Sequence, residues 1–222
     1  MYIYADNAAT TKTSQAAIKA MNECMEDFYG NPSSLHSVGQ RAAEKLLQAR
    51  MDVAECLGAD FKEIYFTSGG TESNNMAIIG TAMANKRKGN KIITTSVEHS
   101  SVLATMKYLE EQGFEVIYLP VDRYGVVQME ALEKEMTEDT ILVSTMYVNN
   151  EVGAIEPVGE IGQYIKKVNP SVVYHVDAIQ AFGKLEIKPR RDNIDLLTVS
   201  GHKIHGPKGS GFIYIKKNTK IN

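Results

Sequence analysis

The sequence has no tryptophan, only two cysteines among 222 residues, and no excess of basic charge. Two cysteines are too few for a disulfide framework, so a reducing, cytoplasmic setting is expected. With 24 Lys and Arg against 27 Asp and Glu, the net charge is −3, which argues against direct nucleic-acid binding through a broad positive field. No apolar run approaches the roughly 18 residues of a membrane span, and the first residues lack a signal-peptide pattern.

Short β-rich runs alternate with helical patterns along the chain, which predicts parallel βαβ units in an α/β sheet. The last two predicted strands are joined by a glycine-rich loop without a helix, so they could form an antiparallel pair at one edge of the sheet. The predicted strands are 63–67, 91–95, 115–119, 141–147, 172–176, 194–199 and 211–215, and the predicted helices are 14–28, 34–57, 71–85, 100–112, 127–136 and 157–168.

Polar residues and glycines follow five of these strands directly. Open α/β sheets bind ligands in the crevice at the carboxyl ends of their strands, so we expect these five segments to meet at one site. They are residues 68–72, 96–99, 148–151, 177–180 and 200–203.

Gly69 and Gly70 stand between a predicted strand and a predicted helix. Glycine lets the backbone approach a ligand closely, and the N–H groups at a helix start favour an anion such as phosphate. A plain tight turn with Thr71 as the helix cap explains the same residues equally well. The pattern is neither a Walker loop nor GxGxxG, so a nucleoside triphosphate is not favoured.

Lys203 follows a buried-looking strand and has small and ring-bearing neighbours. A lysine in such surroundings shifts toward its neutral form, which forms a Schiff base with an aldehyde. The alternative is a solvated surface charge, the usual state of a lysine. Lys208 has the same kind of neighbours but lies further from the strand end, so Lys203 is the candidate.

Asp177 and His99 also stand at strand ends. A carboxylate such as Asp177 can pair with a ring nitrogen and keep it protonated, although a structural Asp would simply cap a turn. His99 could stack on a planar cofactor and move protons near neutral pH, or be an ordinary residue of a helix start. Cys24 and Cys56 are predicted to be buried structural residues, and no His–Cys spacing suggests zinc, so no metal is expected.

An anion cradle, a Schiff-base lysine, a carboxylate and a stacking ring together suggest pyridoxal 5′-phosphate (PLP). From about residue 4 to residue 215 the chain also resembles the NifS/IscS-type cysteine desulfurases. These are PLP enzymes of the class V aminotransferase group with the aspartate-aminotransferase fold (PLP fold type I), which implies a mainly parallel seven-stranded sheet flanked by helices. The motifs that carry the resemblance are YADNAATT at 4–11, GNPSSLH at 30–36, TSGGTESNN at 67–75, EH at 98–99, VNNEVG at 148–153 and SGHKIHGPKG at 200–209.

The resemblance implies a role for each matching residue. Lys203 would be the Schiff-base lysine and the base that moves the substrate Cα proton. His99 would stack on the cofactor ring and assist proton transfer, and Asn150 would lie beside cofactor and substrate. Asp177 would hold the pyridine nitrogen and Gln180 the ring hydroxyl. The phosphate would be bound by Gly70, Thr71, Ser200 and His202.

Family members are homodimers that take sulfur from L-cysteine, leave L-alanine, and pass a persulfide to an acceptor, either an iron–sulfur scaffold protein or a tRNA-thiolation enzyme. They run to nearly twice this length. By the resemblance, residues 1–13 belong with a small domain and residues 14–222 form the PLP-binding large domain. The C-terminal small domain, with its persulfide cysteine and substrate-binding arginine, is absent, so a truncated form is expected. Two alternatives stay open: a selenocysteine lyase or other class V enzyme, and a non-catalytic PLP-binding fragment.

Overall fold

The computed structural model describes residues 3–222, so the first two residues of the predicted 1–13 segment lie outside it. Within the described chain, seven strands form one sheet, which confirms the predicted α/β architecture. The strands are β1 (Ile64–Thr67), β2 (Lys91–Thr95), β3 (Glu115–Leu119), β4 (Thr140–Met146), β5 (Val173–Asp177), β6 (Leu196–Ser200) and β7 (Gly211–Ile215).

In residues 3–222, six helices accompany the sheet, close to the predicted ranges. The second of them begins three residues later than expected, because the His36 ring caps it by accepting a hydrogen bond from the Gly39 N–H at 3.2 Å. Single 3₁₀ turns precede β1 and follow β6. The helices are α1 (Gln15–Asp27), α2 (Ser37–Leu57), α3 (Gly70–Asn85), α4 (Ser100–Glu111), α5 (Met129–Glu135) and α6 (Val158–Val168), and the 3₁₀ turns are Phe61–Glu63 and Gly201–Lys203.

The sheet is the middle of three layers. Strands β2, β4, β5 and β6 are buried along their whole length, as expected for parallel strands covered on both faces. Neighbouring residues alternate between the two faces: Leu196 belongs to the hydrophobic cluster that includes residues of α3 and α4, whereas Leu197 belongs to the cluster that includes residues of α2, α5 and α6. Each of these buried strands therefore contributes side chains to two hydrophobic cores, one on each face of the sheet.

The strand order is β1-β7-β6-β5-β4-β2-β3, and only β7 runs against the others. The predicted antiparallel pairing of β6 with β7 is confirmed. Its expected place at an edge is wrong, because β1 pairs with the outer side of β7, joining Thr67 to Gly211. The reason is burial: Phe212 and Tyr214 of β7 are buried, whereas Tyr65 and Phe66 of β1 tolerate exposure. The carboxyl ends of the other six strands face one edge.

The predicted burial of the two cysteines is wrong. Cys24 is half-buried and Cys56 is exposed. Helix α1 has no buried residue at all. Helix α2 buries Ala54 and Leu57 in the core, but other large apolar residues on it lie open. Sequence periodicity identifies the apolar side of a helix correctly, but it cannot say whether the same chain covers it. The exposed apolar residues of α1, α2 and their connection are Ile18, Met21, Met25, Tyr29, Leu35, Leu46, Leu47 and Met51.

Two kinds of feature are absent from the described part of the chain. No helix within 3–222 is both long and apolar enough to cross a membrane. Over the same residues, no group of three or more His, Cys, Asp or Glu side chains has an arrangement that could hold a metal ion.

Candidate active site

One cavity of about 430 Å³ opens at the carboxyl ends of the strands. Five strand ends reach it, as the sequence predicts, together with residues of the N-terminal segment. All nine residues singled out in the sequence line it: Gly70, Thr71, His99, Asn150, Asp177, Gln180, Ser200, His202 and Lys203.

Helix α3 begins at the wall of this cavity. Its first residue, Gly70, lies so close to a neighbouring loop that a Cβ atom there would stand 2.1 Å from Cδ1 of Ile179. The preceding Gly69 has φ +150° and gives the helix no side-chain cap. The first N–H groups of a helix have no partner inside it, so those of α3 are available to an anion between Thr71 and Ser200.

Lys203 lies on the 3₁₀ turn after β6. Its Nζ donates hydrogen bonds to the carbonyl oxygens of Ala8 and Ala9, the latter at 2.9 Å. Burial, and then the nearby positive charge of Lys184, lower the pKa of Lys203, while Asp177 among other carboxylates opposes the change. A lowered pKa raises the fraction of neutral amine, which is the nucleophilic form.

His202 stands next to Lys203 on the same turn. Its Nδ1 lies 3.1 Å from Oγ1 of Thr10. The N-terminal segment is tied to this turn, because the Thr11 N–H and hydroxyl both donate to the His202 carbonyl at 2.8 Å. Burial lowers the pKa of His202, and the charges of Lys203 and Lys208 add to the effect. The ring is therefore held in place and disposed to be neutral.

Asp177 ends β5 and is only 4 % exposed. One oxygen, Oδ2, accepts a hydrogen bond from Nδ2 of Asn74 at 2.8 Å, and Oδ1 accepts one from the Ile179 N–H at 3.0 Å. Burial raises the pKa of Asp177, opposed by these two hydrogen bonds and by the His99 and Lys203 charges. A buried carboxylate held by only two donors retains lone pairs for a cationic ring N–H.

His99 caps helix α4. Its Nδ1 accepts a hydrogen bond from the Ser101 N–H at 3.1 Å and lies 2.9 Å from the Ser101 hydroxyl. Just before it, the buried Glu98 joins two strand ends, since its Oε1 accepts from the Thr95 hydroxyl at 2.7 Å and from the Met146 N–H at 2.8 Å. Burial raises the pKa of Glu98 to about 8. The backbone that carries His99 is thereby fixed to β2 and β4.

Comparison with known proteins gives this geometry a context. The sequence profile of the family described as "Aminotransferase class-V" matches residues 3–222. The chain belongs to the class-V aminotransferase family. Among curated members, it is 49 % identical over 220 residues to the "Cysteine desulfurase IscS" of Methanosarcina thermophila and 47 % identical over 219 residues to that of Clostridium botulinum. In both cases 99 % of this chain is covered. It spans about half the length of these curated relatives, namely 54 % and 55 %.

Solved structures share the fold of this chain. A chain titled "NIFS-LIKE PROTEIN" superposes with a TM-score of 0.97 at 44 % identity, covering 100 % of this chain and 61 % of that one. One titled "SspA in complex with cysteine" gives a TM-score of 0.95 at 37 % identity, covering 100 % and 64 %. The fold of this class-V member is therefore that of the type I PLP enzymes, and the cofactor of the family is PLP.

The residues of the cavity fit that cofactor. The start of α3 has no side-chain cap and can bind the cofactor phosphate. Lys203, with its lowered pKa, can react with the aldehyde, and the buried carboxylate of Asp177 can accept a hydrogen bond from the ring nitrogen. Two polar residues have other partners here: Gln180 Nε2 donates to the Ala8 carbonyl at 2.9 Å, and Asn150 Nδ2 donates to Glu151 Oε1 at 2.7 Å.

The sequence reasoning missed some contributors to the site. Ala8 and Ala9 line the cavity with their backbone carbonyls facing Lys203. Asn74 and Ser101 hold Asp177 and His99 in place. Asn74 carries a usable signal, because it stands four residues after Gly70 and so falls on the same face of α3. The two alanines fall within the motif YADNAATT, but nothing in that motif indicates that their backbone carbonyls face Lys203.

Proposed function

We propose that this chain is the cofactor-binding part of a PLP-dependent cysteine desulfurase, which removes sulfur from L-cysteine and leaves L-alanine. The observation that supports it most directly is the pairing of Lys203 and Asp177 in one cavity beside an uncapped helix start. The names of relatives at 47–49 % identity support the choice of reaction. A solved relative with bound cysteine supports the choice of substrate.

The start of α3 would hold the cofactor phosphate. Backbone N–H groups of Gly70 and Thr71, together with the side chains of Thr71, Ser200 and His202, would supply its donors. The helix dipole adds to the attraction of the dianion. A side chain at position 70 would force the Ile179 side chain to move, because its Cβ atom would stand 2.1 Å from Ile179 Cδ1.

Lys203 would bind the cofactor aldehyde covalently and would later act as the base that takes the substrate Cα proton. When bound, PLP would supply an electron sink for the reaction at that carbon. Asp177 would maintain this electron-withdrawing capacity by accepting a hydrogen bond from the protonated ring nitrogen. Its two existing donors, Asn74 and the Ile179 N–H, aim the carboxylate from behind.

His99 would stack on the cofactor ring and would assist proton transfer through Nε2, because its Nδ1 already accepts from Ser101. Asn150 would contact substrate and cofactor. Gln180 would donate to the ring hydroxyl, in place of its present bond to the Ala8 carbonyl. These polar groups orient the reactants within the cavity, which is a recognised source of rate enhancement.

A thiolate must take the substrate sulfur as a persulfide: the S–S bond forms as the substrate Cβ–S bond breaks, and the electron pair of that bond stays with the carbon fragment that becomes L-alanine. Neither cysteine of this chain, Cys24 or Cys56, lines the cavity. The accepting thiolate therefore comes from elsewhere, and the persulfide passes to an iron–sulfur scaffold protein or a tRNA-thiolation enzyme in the cytoplasm. Residues 14–222 are the large domain, and 1–13 pair with a small domain. Exposure of residues 3–9 supports that pairing.

The same proposal includes a homodimer. The exposed apolar residues of α1, α2 and their connection support it, because burying apolar surface is worth about 25 cal/mol per Å². Met25 is 65 % exposed, Tyr29 73 % and Leu35 92 %. Three large apolar side chains exposed this far on neighbouring elements are typical of an interaction surface rather than of a free helix face.

Exchange of the substrate Cα proton tests the proposed function on this chain. The PLP-loaded protein, freed of unbound cofactor, is mixed with L-cysteine in D₂O, and loss of the Cα proton signal is followed by NMR. We expect exchange with the wild type and with Lys208→Ala, and none above the cofactor-only rate with Lys203→Ala. Equal rates for the two lysine variants would contradict the proposal.

A further inference from the structure

Asn74 occupies the centre of a buried hydrogen-bond network behind the cavity. It lies on α3, has no exposed surface, and does not line the cavity itself. Its Nδ2 donates to Asp177 Oδ2 at 2.8 Å and to Ser101 Oγ at 3.0 Å. Its Oδ1 accepts from the Thr198 hydroxyl at 2.6 Å. Both amide protons and the carbonyl are therefore used, each toward a different element: β5, α4 and β6.

The network continues from Ser101 to His99. The Ser101 hydroxyl accepts from Asn74, so its own proton is free to point at His99 Nδ1, 2.9 Å away. The Ser101 N–H also donates to that nitrogen, at 3.1 Å. Two donors directed at Nδ1 require a lone pair there, which assigns the ring proton to Nε2.

We propose that Asn74 is a positioning residue that couples the Asp177 carboxylate to the His99 ring. Its carboxamide fixes the orientation of the Asp177 carboxylate and, through the Ser101 hydroxyl, the tautomer of the His99 ring. That the two groups then serve a bound cofactor rests on the proposed function. The coupling itself is a property of the cofactor-free chain and is measurable there.

The test compares Asn74→Ala with Asn85→Ala in the cofactor-free protein. Asn85 is a matched control, because it is a buried asparagine on the same helix whose Nδ2 donates only to the Thr81 carbonyl. Thermal unfolding of both variants reports the structural cost of losing a buried amide. Two NMR measurements report the coupling: the ¹³C titration of the Asp177 carboxyl and the ¹⁵N shifts of His99.

We expect Asn74→Ala to raise the pKa of Asp177 by about one to two pH units, the equivalent of one hydrogen bond to a charged group. The other titratable groups that face Asp177 are His99 and Glu98 at the start of α4 and Lys203 after β6. The substitution replaces none of these three residues. In Asn74→Ala, His99 should also lose part of its Nε2–H population. Asn85→Ala should change neither signal.

Ser101→Ala interrupts the connection from Asn74 to His99 but leaves the hydrogen bond from Asn74 to Asp177. It therefore tests the proposal even if Asn74→Ala does not fold. It should leave the Asp177 titration as in the wild type but reduce the Nε2–H population of His99, and Ser101→Thr should restore it. Wild-type His99 shifts in Ser101→Ala, or an Asp177 titration in Asn74→Ala equal to that in Asn85→Ala, would overturn the proposal. Failure of the wild type to bind PLP would instead contradict the proposed function and leave these NMR results standing.

Discussion

Replacing Glu98 by glutamine probes the buried carboxyl that fixes the start of α4. Glu98 is 5 % exposed, and its Oε2 has no hydrogen-bond partner among the described residues. Oε1 accepts from Thr95 and from the Met146 N–H. The side-chain carbonyl of the introduced glutamine can accept the same two bonds, while its NH₂ group stands where the protonated acid would carry its own O–H. Glutamine therefore mimics the protonated form.

The sign and size of the effect follow from the pKa of Glu98. Burial raises it from 4.5 to about 8, with Asp177 and Glu156 adding to the change. Between these values the unfolded chain has released the proton and the folded protein has kept it. Wild-type stability therefore falls as pH rises across this window. The difference between these two pKa values corresponds to a loss of about 5 kcal/mol in the free energy of unfolding. Glu98→Gln has no titrating carboxyl at this position and should not show this loss.

Chemical denaturation at a series of pH values is the assay. Wild type and Glu98→Gln should have similar free energies of unfolding near pH 4.5, and the variant should become the more stable of the two as pH rises to 8, by up to about 5 kcal/mol. Glu138→Gln, an exposed position, is the control and should follow the wild type. A constant difference between wild type and Glu98→Gln from pH 4.5 to 8 would refute the reasoning.

Three further outcomes are expected. Asp177→Asn should keep the fold, as measured by circular dichroism. It should slow Cα-proton exchange of L-cysteine by at least ten- to hundred-fold, because a charge-assisted hydrogen bond of about 1.5–3 kcal/mol is lost. A rate within twofold of the wild-type rate would contradict the role of Asp177. Incubation of the PLP-loaded 222-residue chain with sulfur-labelled L-cysteine should leave no persulfide that supports multiple turnovers on Cys24 or Cys56, by peptide mapping. Met25→Asp should raise the dimer dissociation constant at least about tenfold in sedimentation experiments, and an unchanged constant would exclude this face as the contact.

The sheet and the location of the site could be predicted from the sequence because both depend on local patterns. Continuous apolar runs indicate buried parallel strands, and the residues after each run share the edge at which ligands bind. Asp177 and Lys203 are predictable in this way, since Asp177 directly follows one such run and Lys203 lies on the short segment after another. The position of β1 was not predictable in the same manner, because strand order depends on which partner covers β7 rather than on any local signal.

Contacts between distant segments escaped prediction. The carbonyls of Ala8 and Ala9 contact Lys203 across more than 190 residues of sequence, and backbone groups leave no trace in residue type. The exposure of Cys56 had a different cause. Periodicity identifies the apolar side of α2, but it does not show how much of that side the chain itself covers: Ala54 and Leu57 are buried, whereas Cys56 is exposed.

The most direct test of the central claim is identification of the lysine that holds the cofactor. The chain is incubated with PLP and reduced with borohydride, which fixes the bond between the amine and the cofactor aldehyde, and the labelled peptide is mapped by mass spectrometry. We predict a single label on Lys203, lost in Lys203→Ala and kept in Lys208→Ala. A label on Lys208, or one spread over several surface lysines, would contradict the account.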